Sequence, residues 1–202
     1  MTDRDDPLAW ETVDRRVAYT CEAFDVVNQD VRLPDGTVTE FDHVTESESV
    51  VILPLRPPTD TGDEEASQGV GPDTDVVLVE EWRQPVGRIN RGLPAGSMEP
   101  GDDDLATAAR RELREETGHV ADRVEHLVSV EPANGLLDSV FHYFVAYGCT
   151  PDAEQELDDD EAIRPTTTTL GELRTAVADG DLRDGRSAMG VLYHQLHGSA
   201  GE

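Results

Sequence analysis

The chain has 202 residues, 44 acidic against 16 basic side chains, a formal net charge of −28 and 37% hydrophobic residues. This length and apolar fraction suffice for one compact core, which argues against a fully disordered chain. No window approaches the run of about 18 apolar residues that a membrane helix needs, and the first six residues lack the features of a signal peptide. We therefore expect a cytoplasmic protein with no membrane partner.

All 16 basic residues are arginines, and the sequence contains no lysine. So acidic a surface repels itself in dilute salt, but the Debye length shrinks to about 3 Å near 1 M salt. The composition is typical of a salt-adapted (halophilic) source, and a generally acidic protein with disordered acidic loops is the alternative. Either surface repels a phosphate backbone, so we expect no polymeric nucleic acid as a partner.

The N-terminal part of the chain alternates loosely between apolar and polar residues, which predicts short antiparallel strands. The two strands, over 17–27 and 30–41, are predicted to meet at a turn near Asn28 and Gln29. A second turn is predicted at Pro34–Gly36, where proline, aspartate and glycine follow one another.

Two β-branched apolar runs follow, and they predict central strands over 49–55 and 75–82. We expect Trp82, at the end of the second run, to lie in the core. Between the runs, residues 57–74 are rich in proline, glycine, serine and acidic residues and have few apolar side chains to bury. The segment predicts a mobile acidic insertion.

The hydrophobic pattern changes to helical spacing at Leu105, since Leu105, Ala109 and Leu113 recur every four residues. Aspartates at 102–104 suit the start of this helix, and Gly118 suits the position just past its end. Further strands are predicted at 124–130 and 141–147, and closing helices at 170–178 and 187–197. Strands, a central helix and C-terminal helices together indicate a mixed α/β domain.

Three glutamates, Glu112, Glu115 and Glu116, occupy positions i, i+3 and i+4 of the predicted helix and so project from one side of it. Like charges in this arrangement destabilise a helix unless something compensates them. Arg111 pairs with Glu115 but cannot neutralise all three. A Mg²⁺ ion could, because it prefers oxygen ligands, and a solvated acidic face is the alternative.

The sequence around these glutamates resembles a known motif. A loop rich in proline and glycine at 92–101 precedes R-E-L-R-E-E-T-G at 111–118. This order resembles the Nudix box, G-x5-E-x7-R-E-U-x-E-E-x-G-U, where U is a bulky apolar residue. Residues 81–87 and 158–163 resemble the ADP-ribose pyrophosphatase branch of the Nudix family, so the resemblance covers about residues 45–197.

The sequence departs from the motif at three positions. Asp103 stands where counting back from Arg111 places a glutamate, and one extra residue separates it from Gly96. We interpret this as a one-residue insertion in the turn at 101–104. The insertion leaves open whether Asp102 or Asp103 takes the role of the first glutamate of the motif. Gly92 stands where the branch often has glutamate, which bears on the substrate more than on the reaction. His119 follows the box glycine in place of a bulky apolar residue.

The resemblance implies an α+β fold, the Nudix-type α/β/α sandwich with a mixed sheet, the box helix and C-terminal helices. It places a hydrolase domain at 49–198, with the insertion at 57–74 inside it and a tail at 199–202. Strands within 1–48 precede the domain, and strands in that position help to form a homodimer in this branch. We therefore expect a homodimer.

The same resemblance implies hydrolysis of a nucleoside diphosphate linked to another moiety, with Mg²⁺ or alternatively Mn²⁺ as cofactor. The branch predicts cleavage of ADP-ribose to AMP and ribose 5-phosphate. Another nucleoside diphosphate sugar, a dinucleotide or a nucleoside triphosphate is the first alternative. A non-catalytic nucleotide sensor is the second, although such a protein would usually lack box carboxylates that are all present here.

Site residues follow by position in the motif. The implied metal ligands are the carboxylates of Glu112, Glu115 and Glu116 and the backbone carbonyl of Ala95, with Glu115 also catalytic and oriented by Arg111. The resemblance further implies a base on a late loop, which we assign to Glu161, with Asp159 and Asp160 as rivals.

Two arginines are expected to contact the substrate. Arg83 offers a planar guanidinium that grips a diphosphate or stacks on a base, and an exposed ion-paired arginine is the alternative. Arg88 adds positive potential nearby.

Overall fold

The computed structural model describes residues 6–57, 69–158 and 161–198. The chain divides into two compact units. One combines the residues up to 48 with 131–140, and the other contains 49–130 and the residues from 141 onward. Most of the predicted insertion, at 58–68, and the tail at 199–202 lie outside the described residues.

The first unit is an antiparallel sheet of β1 (Glu11–Thr20), β2 (Asp25–Arg32) and β3 (Val38–Thr45), with β2 in the centre. The turn predicted near Asn28 is wrong, because Asn28 lies within β2 and its amide donates to Asp42 on β3 at 2.6 Å. The first reversal instead falls between β1 and β2, where the Cys21 N–H donates to the Phe24 carbonyl. The second turn is confirmed, with Gly36 at φ 86°.

The second unit is built on a seven-stranded mixed sheet, in which β4 runs parallel to β9 and the other pairs are antiparallel. The main path is β10-β5-β4-β9-β8, with β6 paired to β5 and β7 to β4. The strands are β4 (Ser49–Leu55), β5 (Asp75–Arg83), β6 (Arg88–Gly92), β7 (Ala95–Ser97), β8 (Arg123–Val130), β9 (Phe141–Tyr147) and β10 (Ile163–Thr169).

Three helices accompany this sheet: α1 (Leu105–Thr117), α2 (Leu170–Ala178) and α3 (Gly185–Gly198). Helix α1 begins where its caps predict, since the Asp104 carboxylate accepts the Thr107 N–H at 2.7 Å. It ends at Gly118, whose φ of 69° lies in the left-handed region that glycine tolerates best. No helix in the described residues combines the length and apolar character needed to span a membrane.

Strand β4 is buried on both faces and separates two apolar cores. Its odd-numbered residues, such as Leu53, pack in the core that includes α2 and α3, and its even-numbered residues, such as Ile52, pack with α1. The predicted α+β fold with a mixed sheet between helices is therefore confirmed, and α1 is held against the sheet through Ala109 and Leu113.

Candidate active site

Strand β7 and helix α1 bring the loop and the helix of the predicted motif into contact. The Ala95 N–H donates to the Glu116 carboxylate at 3.0 Å. A Cβ atom at Gly96 would lie 2.2 Å from the carboxyl carbon of Glu112, so only glycine permits this approach. The loop therefore holds both helix carboxylates against the backbone.

Glu112 and Glu116 are buried carboxylates, 8% and 5% exposed. Burial, which disfavours the charged form, raises the pKa of Glu112 to about 7 and that of Glu116 to about 8. Repulsion between the two carboxylates raises the pKa of Glu116 further. Such a pair favours a neutralising cation, since charged groups are rarely buried without one.

Arg111 connects the loop to the helix through a set of hydrogen bonds. Its guanidinium donates to Glu112 at 2.9 Å and to Glu115 at 3.0 Å. It also donates to the Ser97 carbonyl at 2.9 Å and grips both oxygens of Asp102 at 2.9 and 3.1 Å. These bonds raise the pKa of Arg111, so the side chain stays charged. One guanidinium thus fixes the loop and orients two of the three glutamates.

Of the two aspartates at the one-residue insertion, Asp102 contacts Arg111. Its side chain is 3% exposed and forms the two-pronged pair with Arg111. That pairing lowers the pKa of Asp102 below its ordinary value. Asp103 is exposed, whereas Glu99 adds a longer contact of 3.3 Å to Arg111. Motif counting could not choose between neighbouring aspartates, because the choice depends on the path of the turn.

The donor set fits a hard divalent cation such as Mg²⁺. Buried carboxylates that repel each other are suitable ligands, and Mg²⁺ is usually held by one or two carboxylates together with water and phosphate oxygens. Within residues 6–57, 69–158 and 161–198, no three histidine, cysteine, aspartate or glutamate side chains converge as a ready metal cage.

Glu161 lies near the same carboxylates. Its charge raises the pKa of both Glu112 and Glu116, which places it within electrostatic reach of them. Its own carboxylate accepts the Asp158 N–H at 3.1 Å. The rival candidates Asp159 and Asp160 lie outside the described residues.

Arg83 and Arg88 face each other on the paired strands β5 and β6. Arg83 forms an ion pair with Glu81, and Arg88 donates to Asn90 at 3.2 Å. The expectation that Trp82 is buried is wrong. Its ring is 52% exposed because it lies where β5 ends, and its indole N–H donates to Gln84 at 2.8 Å. An aromatic ring and two cations thus lie close to the point where β5 ends and β6 begins.

Two features near the site were missed in the sequence. Arg186 at the start of α3 lowers the pKa of Glu116 through its charge, so it lies close to the buried carboxylates. Gly92 is packed beneath the same helix, and a Cβ there would lie 2.8 Å from Ser187 Oγ and 3.0 Å from Asp184 Oδ2. No local pattern signals either feature, because α3 approaches from the far end of the chain.

Comparison with known proteins agrees with this architecture. Residues 70–186 match the family described as NUDIX domain. The chain is 27% identical to an ADP-ribose pyrophosphatase of Bacillus subtilis over 94% of each chain, and 29% identical to a methanol dehydrogenase activator of Bacillus methanolicus over 83% of this chain and 82% of that one. A GDP-mannose pyrophosphatase of Yersinia enterocolitica is 30% identical over 63% of this chain and 70% of its own.

A solved structure described as an ADP compounds hydrolase superposes with a TM-score of 0.77 at 20% identity, covering 95% of both chains. This likeness supports the fold, and the family match covers more than half of the sequence. The chain therefore belongs to the Nudix family of pyrophosphohydrolases.

Proposed function

We propose that this enzyme hydrolyses ADP-ribose to AMP and ribose 5-phosphate with Mg²⁺, or alternatively Mn²⁺, as cofactor. The observation that carries the metal requirement is the pair of buried carboxylates, Glu112 and Glu116, packed against the loop at 95–96. The substrate is supported by the match to an ADP-ribose pyrophosphatase along nearly the whole chain, including its N-terminal strands.

Each box residue has a role in this proposal. Glu112, Glu115, Glu116 and the Ala95 carbonyl would hold the cation. When bound, the cation neutralises the diphosphate and makes a bound water more acidic. Arg111 keeps Glu112 and Glu115 oriented, because it donates to both while anchored on Asp102. Water adds across the P–O–P bridge, so AMP and ribose 5-phosphate each keep one of the two phosphoryl groups.

Glu161 is proposed to accept or position the proton of the attacking water. Its electrostatic reach to Glu112 and Glu116 supports this role. Arg83 and Arg88 are proposed to contact the substrate. Arg83→Ala should raise KM for ADP-ribose about tenfold or more while changing kcat little, since it removes binding that ground and transition states share. An equal fall in kcat and kcat/KM would instead place Arg83 in the chemical step.

Hydrolysis of another nucleoside diphosphate sugar is the second candidate. The observation that favours it is Gly92, where Ser187 and Asp184 fill the space that a larger side chain would need. A glutamate, which the branch often has at this position, therefore does not fit the space around residue 92.

A substrate panel separates these candidates. Phosphate monoester release would be measured in molar KCl with Mg²⁺ from ADP-ribose, GDP-mannose, diadenosine polyphosphates, NADH and nucleoside triphosphates, with Glu112→Gln as the inactive control. A lead of about tenfold in kcat/KM for ADP-ribose supports the proposal. A lead for another compound supports the second candidate. No cleavage with either metal would support a nucleotide sensor.

We further propose that the protein is a homodimer. Every residue of the edge strand β1 is exposed. Val17 and Tyr19 on this strand, and Trp10 just before it, are more than half exposed. Exposed apolar patches and open strand edges are features that association usually covers. Light scattering in molar KCl should give twice the chain mass of 22.1 kDa, and Val17→Asp should give the monomer mass. A monomeric wild type would contradict the proposal.

We also propose a salt-adapted source and a cytoplasmic location. The net charge of −28 supports the salt-adapted source, because salt screens the repulsion of such a surface.

A further inference from the structure

A cavity of about 610 Å³ lies between β8, β9 and helices α2 and α3. Its lining includes Leu127, Val145 and Tyr147 from the strands, and Arg174, His194 and His197 from the helices. None of these residues belongs to the candidate active site. The volume falls within the range of small-molecule sites.

The lining is rich in basic side chains although the protein as a whole is strongly acidic. One arginine and three histidines border the cavity, and the acidic residue that borders it, Glu125, is already ion-paired with Arg123. The carboxylate is therefore neutralised by a residue outside the lining. In a chain with 44 acidic side chains, this leaves the Arg174 guanidinium as the charge of the lining that an anionic ligand would meet.

Two nitrogen atoms of these basic groups are buried and unpaired among the described residues. In the part of the chain that the structure describes, Nε of Arg174 and Nδ1 of His194 are buried without a hydrogen-bond partner. Buried polar groups are normally satisfied, and a ligand in the cavity could supply the missing partner for both atoms. Burial, Arg174 and His197 lower the pKa of His194, and an anion nearby would favour its protonated form.

We propose that this cavity binds a phosphate monoester. A guanidinium with adjacent imidazoles suits a phosphate dianion. The cavity also has room for the organic portion of a monoester, beside the apolar strand residues and the Tyr147 ring. The site differs from the active site in that it needs neither the box glutamates nor a metal, so it can be tested even if the proposed substrate is wrong.

The test is an NMR titration of histidine ring protons in EDTA and molar KCl, with inorganic phosphate, ribose 5-phosphate and AMP as probes. His194 and His197 resonances would be assigned with His194→Gln and His197→Gln. We expect saturable shifts of both, tighter binding of the two monoesters than of inorganic phosphate, and unchanged binding in Glu116→Gln. Equal affinity for all three probes would overturn the monoester assignment.

Arg174→Gln should weaken binding about tenfold, the effect of losing one charge-assisted hydrogen bond. Arg110→Gln is the matched control, because Arg110 is exposed on α1 and carries the same charge. Circular dichroism and the hydrolysis rate should match the wild type in both variants. Shifts that spread over all six histidines, or that Arg174→Gln leaves unchanged, would overturn the proposal.

Discussion

The buried carboxylate of Glu116 should cost folding stability when no metal is present. It is 5% exposed and accepts one hydrogen bond, from the Ala95 N–H at 3.0 Å. Glutamine has the same shape and can still accept that bond, but it carries no charge. We therefore predict that Glu116→Gln abolishes metal-dependent hydrolysis and at the same time stabilises the metal-free protein at alkaline pH.

The magnitude follows from the pKa of Glu116, which is raised from 4.5 to about 8 by burial first and by Glu112 second. The folded protein holds this proton more tightly than the unfolded chain does. The resulting stability is fully present below pH 4.5 and is lost as the pH rises through about 8. At about 1.4 kcal/mol per pKa unit, the wild type should lose about 3 kcal/mol from this residue between pH 5.5 and 8.

Urea unfolding in EDTA and molar KCl, followed by circular dichroism at pH 5.5 and 8, measures this difference. Glu112 contributes a pH dependence to both proteins, so the comparison isolates residue 116. Glu154→Gln, at an exposed position, is the matched control and should behave as the wild type. The free energy of unfolding of Glu116→Gln, relative to the wild type, should rise between pH 5.5 and 8. If it does not, burial does not penalise the charged form of Glu116 and our reasoning fails.

Three further predictions test the loop, the helix and the surface. Gly96→Ala should lower kcat/KM about 100-fold by displacing the Glu112 carboxylate. Gly101→Ala is the control and should leave kcat/KM unchanged, because the space around its Cβ is open. Equal kcat/KM values for the two variants would refute the close packing at Gly96. Arg111→Lys should lose about 2 kcal/mol and roughly 4–8 °C in Tm, because lysine cannot grip Asp102 with two nitrogens, and Arg110→Lys should change little. Raising KCl from 0.1 to 2 M should raise Tm by roughly 10 °C or more, and a Tm indifferent to salt would remove the salt-adapted interpretation.

Local signals explain what could be predicted from the sequence. Helix α1 follows from its four-residue apolar spacing, the Asp104 cap and Gly118, all within one stretch of chain. Strand β10 was missed because four of its seven residues are threonines, one is Pro165 and an acidic stretch precedes it. Its pairing with β5, from Ile163–Glu81 to Thr169–Asp75, is a long-range property.

The candidate site also combines residues that local spacing predicts with residues that it cannot predict. Glu112, Glu115 and Glu116 share one turn of helix, so their spacing alone groups them. Arg186 and Asp102 could not be assigned, because one reaches the site from a distant helix and the other depends on the path of a tight turn.

The route of the chain through the first unit has a consequence for how the protein is made. Residues 131–140 return to the N-terminal strands, where the Val44 N–H donates to the Leu136 carbonyl and the Val44 carbonyl accepts the Asp138 N–H. The edge of β3 that receives these residues therefore stays open until residues 131–140 have been synthesised. During this interval the open edge can associate with another nascent chain, a hazard that a strongly negative surface opposes.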